Sequence, residues 1–429
     1  MRYIPLNNSI YKRNRLNFMD QMKGNCMAIF NSNDIYPVSA DSELPFAQHR
    51  DIFHLAGIDQ EETILILYPS SKDSKTREIL FIRRSDEHTK IWEGEKLSKD
   101  LASKLSGIES IHFVEDFKNI LHLITSKVDT FYINKNEHYR ANSPVETRED
   151  RFISWLIKKY PAHKVAKSNP ILQRLRSIKH IDEIDQIRKA CQITKKGFNR
   201  VLKFIKPDVW EYQIEAEFIH EFINNSSKGF AYSPIIASGQ DNNVLHYVKN
   251  NKQCKDGELI LMDVGAEYGN YSSDMTRTIP VSGHFSKRQK EIYNTVLRVK
   301  NEATKLLTVG NNWKNFHDQV GEIMTKELLD INLLDKADIK NQTKKNPAYK
   351  KYFMHGTSHH LGLDTHDYGL LDDLFQENMV FTVEPGIYIP EEGFGVRLED
   401  DVVIQTKGEP INLMEDIPIE TDHIEELMN

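Results

Sequence analysis

Cysteine is scarce in this chain of 429 residues, and its distribution argues against a disulfide framework. The three cysteines, Cys26, Cys191 and Cys254, are odd in number, lie far apart in the sequence and form no C-x-x-C pair. A disulfide scaffold instead shows an even number of cysteines at regular spacings. We therefore expect no disulfide framework in this protein.

Long hydrophobic runs and an excess of basic residues are also missing. No run of about 18 apolar residues occurs, and the first residues lack the apolar core of roughly 7 to 15 residues that marks a signal peptide. The chain holds 56 Lys and Arg against 63 Asp and Glu, which gives a net charge of −7. Such a balance does not favour nucleic acid or an anionic membrane as a partner. We expect a cytoplasmic protein that binds neither.

The sequence does contain enough apolar material for two domains. Its length and its 39% content of hydrophobic residues allow two separate cores. In the first 170 residues, short β-rich runs alternate with helical or polar segments, which is α/β patterning. These runs lie at 26–30, 63–68, 78–82 and 130–133. From Ile181 onward apolar residues recur at helical spacing. The predicted domains are therefore 1–172 and 173–429, and a long amphipathic helix opens the second.

Two stretches of the chain each carry a pair of acids at hairpin spacing, and a histidine lies between the stretches. The first pair is Asp263 and Asp274, the second is Glu384 and Glu399, and the histidine is His359. Facing residues on paired strands lie about 5 Å apart at Cβ, so each hairpin brings two carboxylates together. Four carboxylates in one pocket repel each other unless positive charge lies between them. Two divalent cations cancel four negative charges, so the set predicts a two-metal site.

The chemistry of these donors also indicates the metal and the reaction. One nitrogen among several oxygens is a harder set than the Cys and His ligands that select zinc, which favours manganese, cobalt or iron. Two metals about 3.5 to 4 Å apart share a bridging water and clamp a carbonyl. The predicted reaction is hydrolysis of an amide by a metal-bridging hydroxide. The alternative interpretation is that these are ordinary acids at strand ends and turns.

The sequence words around these residues favour the metal site. They are M-D-V-G-A-E-Y-G-N-Y-S-S-D-M-T-R-T at 262–278, H-G-T-S-H-H-L-G-L-D-T-H-D at 355–367, T-V-E-P-G-I-Y at 382–388 and V-R-L-E-D-D at 396–401. In order and spacing, these words resemble the creatinase and aminopeptidase P group of pita-bread metallopeptidases. The resemblance is close from about Leu175 to the end of the chain and looser before it.

The resemblance implies a fold and a metal centre. The expected fold class is α/β (α+β), with an N-terminal creatinase-like α/β domain followed by a pita-bread catalytic domain. Asp263, Asp274, His359, Glu384 and Glu399 would bind two divalent ions, expected to be Mn²⁺, with Asp274 and Glu399 bridging both. The resemblance also implies peptide substrates with proline in the second position, and a homodimer or homotetramer.

The same resemblance implies a set of catalytic side chains around the metals. These are His246, His355, His366, Arg397 and Glu384, of which Glu384 would also accept a proton from the bridging water. His246 would lie near the scissile bond, and the other two histidines would contact the proline side and the polarised carbonyl. Arg397 stands two residues before Glu399, so on a strand both side chains point to one face.

Four further residues are candidates for binding the substrate. Tyr232 and Tyr388 are expected at the pocket wall. Asp51 lies in F-A-Q-H-R-D-I-F-H-L-A-G, which resembles the F-R-Q-x-x-D-F-x-Y-L-T-G stretch of aminopeptidase P relatives, and it would meet the substrate amine in the site of a neighbouring subunit. A structural turn aspartate is the alternative reading. Trp92, in I-W-E-G, would cap the pocket, with a core or surface tryptophan as its alternative.

Members of this group differ in the peptide that they accept. Aminopeptidase P relatives release the residue before proline from longer peptides, whereas prolidases require a dipeptide and hold its carboxylate with arginine. No Lys or Arg occurs between His366 and Glu384, so a dipeptide carboxylate would find no bidentate partner there. We therefore expect an Xaa-Pro aminopeptidase, with a prolidase as the alternative. A non-catalytic pita-bread binding protein is disfavoured because all five ligand types are present.

Overall fold

The protein folds into two compact units, described by a computed structural model that covers residues 2–141 and 143–429. The N-terminal unit is Pro5–Arg176. The C-terminal unit consists of residues 2–4 and Ser177–Asn429. The observed division thus follows Arg176, whereas the sequence predicted it after residue 172.

The N-terminal unit alternates helices with strands. In chain order its elements are α1 (Asn8–Gln21), β1 (Cys26–Asn31), β2 (Pro37–Ser39), β3 (Ser42–Glu43), α2 (Arg50–Ala56), β4 (Ile64–Leu67), α3 (Ser74–Arg77), β5 (Glu78–Ile82), α4 (Glu87–Trp92), α5 (Lys99–Ser106), β6 (Ser110–Phe113), a 3-10 turn (Val114–Asp116), α6 (Phe117–Thr125), β7 (Thr130–Ile133), α7 (Arg148–Lys159), β8 (Lys164–Lys167) and α8 (Asn169–Ser177).

A mixed sheet with the order β6-β5-β4-β1-β7-β8 forms the centre of this unit. Its middle strand β1 runs antiparallel to β4 and parallel to β7, and all six of its residues are buried. Because successive side chains of a strand point to opposite faces, β1 supplies two cores. Ala28 and Phe30 belong to one hydrophobic cluster, and Met27 and Ile29 belong to the other. The four predicted β-rich runs form β1, β4, β5 and β7.

The C-terminal unit combines long helices with short antiparallel sheets. In chain order its elements are α9 (Ile181–Phe204), α10 (Glu211–Asn224), β9 (Ile235–Ser238), a 3-10 turn (Gly239–Asn243), β10 (Leu259–Val264), β11 (Glu267–Tyr268), β12 (Tyr271–Ser272), β13 (Met275–Pro280), α11 (Lys287–Leu306), α12 (Trp313–Asp330), α13 (Lys336–Asn341), a 3-10 turn (Ala348–Lys351), β14 (Val380–Val383), β15 (Gly386–Ile389), β16 (Phe394–Arg397), β17 (Asp400–Val403), β18 (Ile411–Asn412) and α14 (Thr421–Met428).

Helix α9 is the long amphipathic helix that the sequence predicts after Ile181. A reciprocal cap starts it, in which the His180 ring accepts from the backbone of the first turn and the Glu183 carboxylate accepts from the His180 N–H. Its residues Ile184 and Ile187 are buried, while Ile181 is 56% exposed. The helical periodicity of apolar residues therefore predicted the buried face of α9 correctly from Ile184 onward, but not at Ile181.

Two antiparallel sheets in this unit hold the acid pairs. The first has the order β13-β10-β9, and the second has the order β14-β17-β18. Hairpins β11-β12 and β15-β16 lie between the paired strands along the chain. A single bridge from Thr276 to Glu399 connects the first sheet to the start of β17. The acids of both stretches therefore meet where the sheets adjoin.

Two properties of the whole chain bear on its environment. Over residues 2–141 and 143–429, no helix has both the length and the apolar character needed to cross a bilayer. The three cysteines are buried free thiols.

Candidate metal centre

The first acid pair lies at one end of the β10-β13 hairpin. The pairing register sets Thr276 directly opposite Asp263. The prediction that Asp263 and Asp274 face each other across the hairpin is therefore wrong. Asp274 stands two residues before Thr276 and therefore points to the same side of the chain. The Tyr232 hydroxyl joins the pair, at 2.7 Å from Asp263 Oδ1 and 2.5 Å from Asp274 Oδ1.

The second acid pair flanks the β14-β17 ladder. Val383 pairs with Asp400, so Glu384 and Glu399 occupy the next position beyond the last paired residues. Thr276 connects this pair to the first sheet, because its Oγ1 donates to Glu399 Oε2 at 2.6 Å and its carbonyl accepts from the Glu399 N–H at 3.0 Å. One threonine thus fixes both the backbone and the side chain of Glu399.

The histidine reaches the acids through backbone pairing with β14. The N–H of Thr382 donates to the carbonyl of His359 at 3.0 Å, and the N–H of Glu384 donates to the carbonyl of Thr357 at 2.8 Å. His359 Nδ1 lies 2.9 Å from the carbonyl oxygen of His360, which makes Nδ1 the donor and leaves the Nε2 lone pair directed at the acids. A metal-binding imidazole is oriented in the same way.

These side chains converge in one pocket. His359 Nε2 lies 3.4 Å from Asp274 Oδ2 and 3.8 Å from Glu384 Oε1. One ligand atom from each of Asp274, His359 and Glu399 lies within 4.8 Å of the others. Asp263 adjoins Asp274 through the shared Tyr232 hydroxyl. The structure therefore brings together all five residues that the sequence nominated as metal ligands.

The electrostatics of this pocket fit divalent cations. Burial raises the pKa of Asp274 and of Glu399 well above the usual range, and neighbouring acids raise both further. Burial also raises the pKa of Glu384 to about 7. In addition, the single proton of the Tyr232 hydroxyl cannot be donated to two carboxylates at once. The pocket is short of positive charge, and two divalent ions among these oxygens and one nitrogen would supply it.

A chain of hydrogen bonds leads from Asp263 to His355. Arg397 Nη2 donates to Asp263 Oδ2 at 2.6 Å, and Nη1 donates to the Tyr388 hydroxyl at 2.9 Å. His355 Nδ1 lies 2.8 Å from the carbonyl of Gly356, so Nε2 must accept from the Tyr388 hydroxyl, also at 2.8 Å. Burial, together with the charge of Arg397, lowers the pKa of His355 to about 3. His355 is therefore neutral, with both ring nitrogens already bonded.

Two family models match the sequence that builds this arrangement. The model described as "Metallopeptidase family M24" matches residues 185–406, which include all five candidate ligands. The model described as "Aminopeptidase P, N-terminal domain" matches residues 11–132.

This chain belongs to metallopeptidase family M24.

Known proteins resemble this M24 chain over nearly its whole length. The Xaa-Pro aminopeptidase of Escherichia coli (strain K12) is 32% identical over 432 residues, which cover 97% of each chain. The structure of proline aminopeptidase P II from Yersinia pestis matches with a TM-score of 0.89 and 30% identity, over 99% of both chains. A zinc-substituted aminopeptidase P from Escherichia coli in complex with product matches equally well, with the same identity and coverage.

These similarities confirm the predicted architecture and class. The chain has an aminopeptidase P-type N-terminal domain followed by an M24 pita-bread catalytic domain, in a mixed α/β structure. It is a metallopeptidase and hence a hydrolase with divalent metal ions as cofactors.

The other two candidate histidines of the M24 site are more exposed. His366 is exposed, and its ring centroid lies 4.4 Å from that of His359. His246 is exposed as well, and it lies close enough to His355 to lower the pKa of that residue further. Both stand at the edge of the metal pocket, where a substrate could contact them.

The two tyrosines predicted at the substrate pocket differ in exposure, and for Tyr232, which is half-buried, that placement stays a prediction. Tyr388 is fully buried, and its hydroxyl is held between Arg397 and His355. Tyr232 contacts the two acids of the first pair, which places it against two of the candidate metal ligands. Both hydroxyls therefore orient other side chains of the site.

Within the N-terminal unit, Asp51 is placed in the interior. Its side chain is completely buried, Arg176 Nη1 donates to Oδ1 at 2.9 Å, and Asn134 Nδ2 donates to Oδ2 at 3.0 Å. Burial alone would raise the pKa of Asp51, but Arg176 and His49 lower it. The geometry supports a structural role for Asp51 and corrects the expectation that it meets a substrate amine. Trp92, at the end of α4, is 75% exposed.

Sequence reasoning missed two charged residues that hold the backbone of the candidate ligands. Arg277 is fully buried, and its Nη1 donates to the carbonyls of Glu399 at 2.7 Å and Thr276 at 3.0 Å. Asp401 Oδ2 accepts the backbone N–H of Asp274 at 3.0 Å. Both lie inside the recognised sequence words. A charged residue on an otherwise buried strand was the available signal, because a buried charge needs partners.

Proposed function

We propose that this M24 protein is an Xaa-Pro aminopeptidase, which removes the N-terminal residue of peptides whose second residue is proline. One observation carries the proposal. Asp274, His359 and Glu399 converge with Asp263 and Glu384 at their side, in a chain similar over 97% of its length to an enzyme named for this activity.

We assign Asp263, Asp274, His359, Glu384 and Glu399 as ligands of two divalent ions. Asp274 would offer both of its oxygens to the ions, because they face different neighbours. Oδ1 lies beside Tyr232 on the side of Asp263, and Oδ2 lies 3.4 Å from His359. When bound, the ions would activate a water molecule and polarise the substrate carbonyl. Glu399 would hold the ions together with Asp274, and Thr276 keeps its carboxylate in place.

The proton transfer is assigned to Glu384. Burial raises the pKa of this carboxyl to about 7 in the metal-free pocket, so the site holds a proton on it more readily than an exposed glutamate would. Amide hydrolysis takes a proton from the attacking water and delivers one to the leaving nitrogen. We propose that Glu384 moves this proton towards the nitrogen of proline.

The three histidines have two proposed roles. Two of them would form hydrogen bonds to the substrate, and the third would form part of the pocket wall. His246 and His366 are exposed and would stabilise the negative charge that develops on the carbonyl oxygen. Both nitrogens of His355 are occupied by Gly356 and Tyr388, so His355 offers the substrate a ring face and no free donor. A proline residue has no N–H to satisfy, and such an apolar wall suits its ring.

The preference for peptides longer than two residues is proposed from the sequence segment that precedes Glu384. The segment between His366 and Glu384 carries Asp372, Asp373 and Glu377 but no Lys or Arg. A free carboxylate directly after proline would meet acids and no bidentate cation there. A longer peptide carries its carboxylate farther from this segment.

The test compares two substrates of the metal-loaded enzyme. We expect a tripeptide Xaa-Pro-Yaa to be hydrolysed with a higher kcat/KM than the dipeptide Xaa-Pro, and a tripeptide Xaa-Ala-Yaa to be the matched control that is cut slowly. A preference for the dipeptide would reassign the protein as a prolidase. No hydrolysis of either proline peptide would overturn the proposal.

The metal and the setting of the enzyme complete the proposal. Four carboxylates and one imidazole suit Mn²⁺, which prefers oxygen donors, better than zinc. The free thiols of Cys26, Cys191 and Cys254 suit a reducing compartment, and we propose a cytoplasmic enzyme. We also propose a homodimer or homotetramer that acts on peptides and binds neither nucleic acid nor membrane.

A further inference from the structure

A cavity of about 720 Å³ opens in the N-terminal unit, and every residue that lines it belongs to that unit. It lies among the loop after β1, the turn before β4, the start of α6 and the helix α7. Its volume falls within the range of roughly 300 to 1,000 Å³ that is typical of sites for small molecules. None of the side chains proposed for catalysis takes part in it.

One wall of the cavity is aromatic. Phe117, Phe152 and Trp155 form a cluster in which the ring centroids lie 5.8 to 6.5 Å apart. Phe117 is buried, whereas Phe152 and Trp155 are only partly covered. Lys118 Nζ lies 5.7 Å from the centroid of the Trp155 ring, so this cation shares the wall. The uncovered parts of the Phe152 and Trp155 rings present a surface on which a planar, apolar group would pack.

The acids around the cavity already have basic partners. Each lies within ion-pair distance of an arginine or a lysine. The pairs are Asp34 with Arg151 at 2.6 Å, Glu61 with Lys96 at 2.7 Å, Glu62 with Arg83 at 4.0 Å and Glu115 with Arg84 at 3.6 Å. These carboxylates do not call for a cationic ligand.

Arg148 is one of the cations on the cavity wall, together with Arg151, which pairs with Asp34, and Lys118, which lies over the ring of Trp155. Arg148 is the first residue of α7, it is partly buried, and its Nη1 donates to Ser32 Oγ at 3.0 Å. In the part of the chain that the structure describes, its guanidinium has no other hydrogen bond and no carboxylate at ion-pair distance. Burial lowers the pKa of Arg148, while Glu62 and Asp34 act on it only from farther away.

The next residue along the chain, Glu149, raises the pKa of Arg148 but does not outweigh the effect of burial, so it compensates this cation only in part. Glu149 is buried, and Asn31 Nδ2 donates to its Oε2 at 2.8 Å. Burial raises the pKa of Glu149 to about 8, so its carboxyl is largely neutral at pH 7. Arg148 thus remains a partly desolvated cation with unused N–H donors, beside an aromatic wall.

We propose that this cavity is a second binding site, for a small carboxylate that carries an aromatic ring. The carboxylate pairs with the guanidinium of Arg148 through charge-assisted hydrogen bonds, which are stronger than neutral ones and are often bidentate. The ring packs against Trp155 and Phe152. This inference does not rest on the proposed peptidase activity.

The probe is phenylpropionate, tested against full-length protein by calorimetry with and without bound metal. We expect saturable binding that does not depend on the metal, because a carboxylate that bound the metal centre would lose its site on chelation. Phenylpropionamide, which has the same ring and no charge, should bind about tenfold more weakly or not at all. Absence of binding, equal binding of the amide, or loss of binding with the metal would each overturn the proposal.

A spectroscopic readout and matched variants locate the site. The chain has four tryptophans, so labelling with fluorotryptophan gives four fluorine resonances, and Trp155→Phe assigns one of them. Phenylpropionate should shift the resonance of Trp155. Arg148→Gln should weaken binding about tenfold, Arg148→Lys should restore part of it, and Arg140→Gln, which removes an exposed arginine of the same unit, should leave it unchanged.

The outcomes of these variants separate a binding defect from a folding defect. If Arg148→Gln unfolds, Arg148→Lys and the Trp155 resonance still report on the site. Wild-type affinity in a folded Arg148→Gln, or a ligand-induced shift confined to tryptophans other than Trp155, would place the ligand elsewhere and contradict the proposal.

Discussion

Glu399 and Asp400 are neighbours in the sequence, yet their carboxylates lie in opposite electrostatic surroundings. Both are buried. Burial and the acids Asp274 and Glu384 raise the pKa of Glu399 well above the usual range. Burial alone would also raise the pKa of Asp400, but Arg277 and Lys300 lower it well below its ordinary value. Alternation along a strand thus directs one acid to other acids and the next acid to two cations.

The difference shows which buried acid has its negative charge compensated by side chains of the protein. Arg277 Nη2 donates to Asp400 Oδ1 at 2.6 Å, and Lys300 Nζ contacts Oδ2, so cations of the chain itself neutralise the charge of Asp400. The cluster around Glu399 lacks such balance and is suited to bind cations from solution. The first group should therefore control stability, and the second should control metal binding and activity.

The largest effect is expected on activity, from Asp274→Asn. The amide is a much weaker ligand for a cation than a carboxylate, so kcat/KM should fall by more than the roughly 100-fold that loss of an outer hydrogen-bond partner costs. Steady-state hydrolysis of an Xaa-Pro-Yaa peptide measures it. Asp416→Asn, which removes a surface acid paired with Lys195, is the control and should leave the rate nearly unchanged. A fully active Asp274→Asn would remove the contrast between the two clusters.

The largest effect on stability is expected from Asp400→Asn. The substitution leaves Arg277 and Lys300 buried without a counter-charge, which costs about 3 to 5 kcal/mol in the free energy of unfolding. Denaturant unfolding of metal-free protein measures it. Asp318→Asn on α12 breaks an exposed pair with Lys314 and should cost less than about 1 kcal/mol. Equal costs for the two variants would show that the Asp400 cluster is not structural.

Tyr388→Phe should separate positioning from metal binding. It removes the hydroxyl that connects Arg397 to His355 and leaves the metal ligands in place, so kcat should fall about 10- to 100-fold at unchanged metal content. The matched control is Tyr293→Phe, because the Tyr293 hydroxyl donates to the carbonyl of Ile419 in the same unit. Metal loss in Tyr388→Phe would contradict a role confined to positioning.

The pH dependence of stability should differ between the two clusters. Burial raises the pKa of Glu384 from 4.5 to about 7, so the folded metal-free protein binds a proton more tightly than the unfolded chain does. Its stability should therefore fall as the pH rises from 4.5 to 7, by about 1 to 3 kcal/mol from this group. Bound metal or Glu384→Gln should flatten that fall in urea titrations.

The sign is opposite for Asp400. Its pKa is lowered, so its stabilising contribution is present above the ordinary pKa of 3.8 and is lost as the pH falls below it. For Glu384, the contradicting result would be a Glu384→Gln variant whose stability depends on pH as in the wild type. That result would show that the Glu384 carboxyl is not protonated in the metal-free pocket.

Much of the fold and of the metal centre could be predicted from the sequence, because local words carry them. The strands of the N-terminal unit follow from β-rich runs, and the ligand residues follow from the spacing of acids in four recognisable words. The pairing between strands is different, since it depends on partners far apart in the chain. The opposition of Asp263 and Thr276, and the bridge from Thr276 to Glu399, are long-range results of that kind.

Roles that depend on burial were harder to predict. Asp51 stands in a word that resembles a functional stretch, but its carboxylate is enclosed between Arg176 and Asn134, which only the fold shows. The same limit applies to Tyr388, whose buried hydroxyl forms hydrogen bonds with Arg397 and His355. No local sequence pattern predicts the cavity beside Arg148, because its wall consists of residues from four separate segments of the chain.

The most direct test of the two-metal site is a count of bound ions per chain. Mn²⁺-loaded protein, dialysed and analysed by elemental mass spectrometry, should hold about two ions per chain. Asp263→Asn should hold about one, and Asp416→Asn should hold as many as the wild type. A wild-type protein with one ion or none, or an Asp263→Asn variant that keeps two, would contradict the assignment of the acid cluster as a dinuclear centre.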